Sequence, residues 1–432
     1  MTSAPETLAL SDQDKAHLSG DNGPVLRFAA QMVVKAGELM SATELIDVSF
    51  VHVDACHYYG EAHVDFARFV VDGGGRMVVP SWTNTVPVSV ELPDMRPPEK
   101  SPQFISGAKE LMKLYEQMGC RAVWTCAPYQ LPGGPGLGDH IVGSESNAVT
   151  YYNSAVGART NKYGDFLDVC CALMGRVPNA GLHKKKNRKG QILFRLGDDV
   201  PQALRSQEML AHVLGHHVGK QAGSAIPVIE GLPPDTTLDS QKAMSAATAA
   251  SGGVALFHAV GVTPEAPDLE TAFQGEEAKD VRTISLTDLR GARDDLSTAA
   301  PGRLDMVALG TPHFSFTEFA RLAALMDGRK VADGLVMYVS TSRHVRELAA
   351  RKGWVSALER AGVQIVVDTC TYFTPAVRGA TGRVMTNSAK WAYYAPGMLP
   401  VEVCFGSLED CVQSATSGDV ERDERLWQKG AA

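Results

Sequence analysis

The sequence predicts an α/β protein of parallel sheets flanked by helices, divided into two or three lobes. Three observations carry this reading. First, short β-branched apolar runs end in polar residues: Ile365-Val366-Val367 leads into Asp368-Thr369-Cys370. The runs Ala122 to Cys126, Met306 to His313 and Leu335 to Thr341 repeat the pattern. Runs this short and apolar read as strands buried on both faces. Second, stretches of helical periodicity alternate with these runs, which marks a parallel layout. Third, 432 residues can bury more than one core. Open α/β sheets place ligands at the carboxyl ends of strands. If these strands share a sheet, Cys126, His313 and Cys370 converge on one rim.

Taken in order, residues 1–24 form a polar lead-in. Residues 25–40 place Val25, Phe28, Met32 and Val33 at helical spacing. Leu45 to Val53 reads as a strand. A helix over 61–72 stops at Gly73-Gly74-Gly75. Met77 to Trp82 is the next strand, and residues 86–102, with five prolines, are a loop. A helix over 103–118 leads to the strand that ends at Cys126. Residues 25–200 thus make a first α/β lobe. Residues 201–300 make a second, with helices at 203–215 and 238–250 around a strand Ala225 to Ile229, and a further strand ending at His258. Residues 301–432 make a C-terminal α/β lobe. Its strands end near 309, 340, 368 and 405, with helices at 316–327 and 343–361.

Composition excludes several classes. A net charge of −8 argues against a general nucleic-acid binder. No apolar run is long enough to span a bilayer, and residues 1–20 lack the pattern of a signal peptide. The expected compartment is therefore the cytoplasm, with no membrane partner. None of the eight cysteines has CxxC spacing, so a zinc ribbon or thioredoxin-like motif is not supported.

Some local signals read as structure. Gly133-Gly134-Pro135-Gly136 lacks the order of a phosphate-binding loop. His212, His216 and His217 have an i, i+4 pair but no HExxH, so they read as an exposed helix face. The basic run from Lys184 to Lys189 reads as a solvated loop. Ser144 or Ser146 is a candidate cap for the helix that follows. The start of that helix, with free N–H groups, suits an anionic group, and Arg159 can add a bidentate clamp.

From the residues alone the rim candidates are Cys126, His313, Cys370 and Lys390, with Ser144, Glu145, Arg159 and Asn161 on another loop. Spacing leaves three readings open. The cysteines are buried and inert, or they ligate a metal or an iron–sulfur cluster, or Cys370 is a nucleophile beside His313. Spacing alone ranks the inert reading first and the metal second.

Longer strings shift that order. Thr125-Cys126-Ala127-Pro128-Tyr129, Ser144-Glu145-Ser146-Asn147, Gly157-Ala158-Arg159-Thr160-Asn161 and Gly181-Leu182-His183 follow one another in the order and spacing of the aconitase X family. So do Gly310-Thr311-Pro312-His313, Asp368-Thr369-Cys370, Thr386-Asn387-Ser388-Ala389-Lys390 and Gly406 to Cys411. The chain resembles that family from about residue 8 to about 415. The resemblance implies an aconitase-core-like fold and a hydro-lyase with an iron–sulfur cluster or a mononuclear iron. It also implies a swivelling domain, absent here and supplied by a small partner subunit. Metal ligands on this reading are Cys126 and Cys370. Catalytic candidates are Lys390, His313 and Ser388. Substrate-binding candidates are Ser144, Glu145, Ser146, Asn147, Arg159, Thr160, Asn161 and His183.

One departure matters. Relatives with three ligand cysteines have Gly-Cys-Pro-His where this chain has Gly310-Thr311-Pro312-His313. The cluster type is therefore left open: a smaller cluster such as 2Fe–2S, or a mononuclear iron with oxygen or nitrogen ligands, is as good an expectation as a cubane held by three thiolates. Cys56, at another strand end, is a further candidate thiolate. The substrate expected is a small β-hydroxy acid, cis-3-hydroxy-L-proline before mevalonate 5-phosphate. A non-catalytic iron–sulfur protein is the reading of another class.

Overall fold

The computed structural model describes residues 8–95, 101–372 and 376–428. The middle of the proline-rich loop and the two ends of the chain lie outside the described residues. Three parallel sheets organise the rest.

The first lobe holds a three-stranded parallel sheet in the order Ser81–Thr83, Phe50–Val53, Ile141–Gly143. Helices Pro24–Leu39, Glu61–Asp72, Pro102–Gln117 and Leu167–Met174 contribute the surrounding core. The expected strand over 45–53 is two strands. Leu45–Asp47 pairs antiparallel with Arg176–Pro178, and Phe50–Val53 is central in the parallel sheet. The buried stripe of helix Pro24–Leu39 is Val25, Ala29, Ala30 and Val33. Phe28 and Met32 lie at its exposed margin, where Phe28 meets the rings of Phe66 and Phe69. The polar lead-in contains a helix, Asp12–Ser19, closed by a capping box of Ser11 and Asp14.

Residues 122–126 do not form the expected strand. Arg121 makes one parallel bridge to Trp82, and Trp124 then takes a φ of +44°. The Thr83 hydroxyl accepts the N–H groups of Val123 and Trp124, both at 3.1 Å, in place of ladder bonds. Cys126 therefore does not share a sheet with His313 and Cys370.

The second lobe has a four-stranded parallel sheet in the order His258–Ala259, Pro227–Glu230, Ile192–Leu196, Val281–Ile284. Helices Glu208–Ala222 and Leu238–Gly252 pack closely through glycine. A Cβ on Gly252 would lie 1.9 Å from the Gly219 carbonyl oxygen. His212 and His216 are buried, not exposed as their polarity suggested, with their rings against Phe405 and Tyr393 of the C-terminal lobe. His212 Nδ1 accepts the Ala389 N–H at 3.3 Å, which ties the helix to the C-terminal lobe.

The C-terminal lobe is a five-stranded parallel sheet in the order Val363–Val367, Val336–Thr341, Met306–Phe314, Gly382–Thr386, Val401–Phe405. The order reverses between Met306–Phe314 and Gly382–Thr386. That switch point leaves a crevice at the carboxyl ends, where doubly wound sheets bind ligands. The expected helix over 343–361 breaks at Gly353, whose φ is +79°, into Arg343–Arg351 and Trp354–Arg360.

Candidate active site

The C-terminal sheet supplies most of one wall. Strand Met306–Phe314 carries Thr311 and His313; strand Val363–Val367 runs on into Asp368, Thr369 and Cys370. Asp368 has a φ of +74°, and an Arg343 fork holds its carboxylate at 2.6 and 2.9 Å. The first lobe's proline-rich loop reaches across to it, with Val86 N–H donating to the Asp368 carbonyl at 2.8 Å. This clamp fixes the turn that presents Cys370.

Cys126 arrives from the first lobe. Its sulfur lies 3.7 Å from Cys370 Sγ and accepts the His313 N–H at 3.4 Å. The ligand atoms of Cys126, His313 and Cys370 all lie within 4.8 Å of one another, and all three residues are buried. The two sulfurs are far beyond disulfide bonding, about 2.05 Å. Their spacing suits two thiolates on one tetrahedral ion, about 3.8 Å for metal–sulfur bonds of about 2.3 Å. The Cys126 pKa is lowered: burial opposes this, but the Cys370 thiol and Lys390 outweigh it. Cys370 is raised, first by its hydrogen bond to Cys126 and then by burial. The pair therefore holds one thiolate readily, the form a soft metal takes.

His313 has both ring nitrogens engaged. Nε2 lies 3.1 Å from the Thr369 carbonyl, which can only accept, so Nε2 carries the proton. Nδ1 then accepts from the Thr125 hydroxyl at 2.9 Å. Burial pushes its pKa down to about 4, so it is neutral near pH 7. Thr311 Oγ1 is buried without a hydrogen-bond partner at the same strand end. Cys56 is not part of the group. Its thiol donates to the Val53 carbonyl at 3.3 Å.

Glu145 and Lys390 form a buried ion pair beside the cysteines. Lys390 stands in the first turn of helix Ala389–Met398. Burial would lower its pKa, but Glu145, Tyr372 and Cys126 raise it well above the usual range. Glu145 is lowered despite burial, chiefly by Lys390. Neither serine caps helix Ser146–Tyr151; Glu145 does, accepting the Ala148 N–H at 2.7 Å. The helix start is thus already filled by a carboxylate and is not free for a substrate anion. Asn147 donates to Glu145 at 2.5 Å and to the Cys126 carbonyl at 3.1 Å, which links the ion pair to the sulfur group. Ser388 caps the Lys390 helix, accepting the Trp391 N–H at 3.0 Å, and its hydroxyl donates to the Thr311 carbonyl.

Other sequence candidates lie elsewhere. Thr160 is buried in backbone bonds: its hydroxyl accepts the Gly143 N–H at 3.0 Å. Asn161 holds the 180–182 turn through the Ala180 carbonyl and the Leu182 N–H. His183 is buried against Tyr163 and His140, at 2.7 and 3.0 Å. Arg159 pairs in register with His140, at the amino end of strand Ile141–Gly143. It shares that neighbourhood with His140, His183 and Arg188, not with Lys390. Arg188, at the end of the basic run, is buried and bonded to Glu265 and Asn153, while Lys185 and Lys186 are exposed as expected.

Four residues around the first lobe's strand ends were not singled out from sequence: Asp54, Asn84, Lys162 and, from helix Leu167–Met174, Asp168. Asp54 follows Phe50–Val53, Asn84 follows Ser81–Thr83, and Asn84 donates to the Asp54 carboxyl. Asp168 accepts the N–H groups of Asp54 and Ala55 at 2.8 and 3.2 Å and the Ser144 hydroxyl at 3.2 Å. Burial, with Asp165 and Glu145 nearby, pushes Asp54 up to about 8. Burial raises Asp168 to about 6. Lys162 bridges to Gly143. The strand-end rule applied at Cys370 would have found Asp54 and Asn84; Lys162 has no such signal.

The sequence matches three aconitase X domains in order: the first over residues 7–186, the second over 190–294 and the third over 304–417. It is 40% identical to a cis-3-hydroxy-L-proline dehydratase of Pseudomonas aeruginosa, over 94% of this chain and 69% of that one. The chain belongs to the aconitase X family. Within the family it is also 32% identical to a phosphomevalonate dehydratase large subunit of Methanosarcina mazei, over 95% of this chain and 97% of that one. A crystal structure of Thermococcus kodakaraensis aconitase X in its holo form shares the fold. Its TM-score is 0.83 at 29% identity, over 94% of this chain and 100% of the other. The aconitase-core-like expectation thus holds for the fold.

Proposed function

We propose that this chain is the catalytic part of a hydro-lyase that removes water from a small β-hydroxy acid, cis-3-hydroxy-L-proline. The observation that carries the reading is the buried Cys126–His313–Cys370 group beside the Glu145–Lys390 pair. It occurs in a chain 40% and 38% identical to two proteins named for that dehydration. Iron, as a single ion or a 2Fe–2S cluster, fits the donor set, and Cys126 and Cys370 would hold it with His313 and Thr311 alongside. When bound, it supplies a Lewis acid for a departing hydroxyl. A sulfur spacing of 3.7 Å suits both thiolates on one iron, unlike a cubane that takes one thiolate per corner.

The chain's own residues do the remaining work. Lys390, paired with Glu145, holds positive charge next to the sulfurs. Asp54 is protonated at neutral pH and can release its proton to the leaving hydroxyl, which departs as water. His313 is neutral and fixed by two hydrogen bonds, so it orients the group and does not carry the proton. The base that takes the α-proton is assigned to a small partner subunit. The match over 97% of a protein named a large subunit supports such a partner.

That same match keeps mevalonate 5-phosphate as the second reading. The test is direct. The chain is tagged, purified without oxygen with what copurifies, and given both substrates at equal concentration. Dehydration of cis-3-hydroxy-L-proline to a pyrroline-2-carboxylate is expected. Turnover of the phosphorylated acid alone reverses the choice, and iron-free protein with full activity removes the metal from the account.

A further inference from the structure

We infer that Lys162 is the cation that anchors the substrate's carboxylate, an inference that rests on the dehydratase reading. A carboxylate entering this site needs a positive group that is not already neutralised. Lys390 does not qualify, because Glu145 occupies its ammonium in a buried pair. The helix start at Ser146 does not qualify, because the Glu145 carboxylate caps it. Arg159 stands three residues before Lys162 on the same extended segment, about 10 Å away at about 3.3 Å per residue. It is paired with His140 at the amino end of the strand, away from the switch-point crevice.

Lys162 is in the place the others lack. Its bridge to Gly143 sets it at the carboxyl end of strand Ile141–Gly143, level with Ser144 and Glu145. The side chain is exposed at the rim, so an incoming ligand can reach it. No ion pair or side-chain hydrogen bond engages its ammonium among the described residues. Partial desolvation at the rim lowers its pKa, and its ammonium also feels the buried pair, attracted by Glu145 and repelled by Lys390. A carboxylate docked there would relieve the repulsion and complete an alternating row: substrate, Lys162, Glu145, Lys390. Neighbouring Tyr163 N–H donates to the Gly143 carbonyl at 3.1 Å, which fixes the backbone from which Lys162 projects.

The experiment compares L-proline with L-prolinamide, neither of which has a hydroxyl to lose. Both are titrated calorimetrically into the iron-loaded enzyme, wild type and Lys162→Met, with turnover of cis-3-hydroxy-L-proline followed in parallel. Wild type should prefer the acid over the amide by roughly 10- to 100-fold, the range of a charge-assisted hydrogen bond. Lys162→Met should bring the two within about threefold and raise KM more than it lowers kcat, and Lys162→Arg should restore much of the preference. Retention of the acid preference in Lys162→Met overturns the inference, as does a wild type that does not distinguish the two. An acid preference that depends on Lys162 without any hydroxyproline turnover sinks the dehydratase reading and leaves Lys162 as the anchor of another acid.

Discussion

At the carboxyl edge of the first lobe's sheet stand Asp54, Asn84, Ser144 and Lys162; at that of the C-terminal sheet stand His313, Cys370 and Lys390. The first edge is oxygen-rich and holds a proton: Asp54 is pushed up to about 8. The second is built around sulfur and imidazole, with a lysine that stays charged because Glu145 crosses to meet it. Cys126 crosses in the same direction, from the first lobe to Cys370. Two ordinary strand-end crevices thus become one site only where their lobes touch. On the proposed reading the proton stays with the first edge, whereas metal ligation draws on both lobes, Cys126 from the first and Cys370 from the C-terminal one.

The largest expected effect comes from breaking the crossing pair. Lys390→Met leaves Glu145 buried without its cation, which should cost about 3–5 kcal/mol of stability as well as activity. Urea unfolding checks the first and steady-state turnover the second. A variant as stable as wild type would mean that Glu145 reaches water. Lys390→Met/Glu145→Gln should recover most of the stability and little of the activity.

Asp54→Asn tests the first edge alone. It keeps the size and the Asn84 contact but not the proton. It should lower kcat by roughly 100- to 10,000-fold, the span of general acid catalysis, with iron content unchanged. The wild-type pH profile sharpens the point. The Asp54 carboxyl is protonated below about 8 and ionised above it, so kcat should fall on the alkaline side. Asp165, Glu145 and Asp168 hold that value up, with burial the largest cause. An unchanged alkaline limb in Asp54→Asn would assign the proton to another group.

The smallest effect is expected at Ser388. Its hydroxyl caps the helix that carries Lys390, so Ser388→Ala should cost about 1 kcal/mol and change kcat only modestly. A loss of activity comparable to Asp54→Asn would show that the hydroxyl does more than cap.

Much of this was legible in the chain. Residues 365–370 announce a buried strand with a polar tip; that strand is at the sheet's edge, and the turn after it brings Thr369 and Cys370 over to His313 of the central strand. What pattern could not show was contact between lobes. Residues 122–126 are apolar like a strand, yet Thr83 takes their N–H groups and Trp124 turns, so Cys126 reaches Cys370 as a loop. Polarity misled at His212 and His216, which are buried where their helix meets Phe405 and Tyr393 of the C-terminal lobe. Charge groups Arg159 with Lys390, whereas the structure sets Arg159 beside His140 at the amino end of strand Ile141–Gly143. Helix capping was read one residue off, because a carboxylate drawn to Lys390 did the work expected of Ser144 or Ser146.

The measurement that tests the central claim most directly is iron X-ray absorption of the anaerobic enzyme, wild type and Cys126→Ala. If the two edges hold one metal together, wild type shows sulfur scatterers at about 2.3 Å, as for other metal–thiolate bonds. Cys126→Ala, which removes only the first lobe's ligand, should then lose most of its iron or much of that sulfur signal. Full iron and an unchanged sulfur shell in Cys126→Ala would contradict the account, because the metal would then belong to one edge alone.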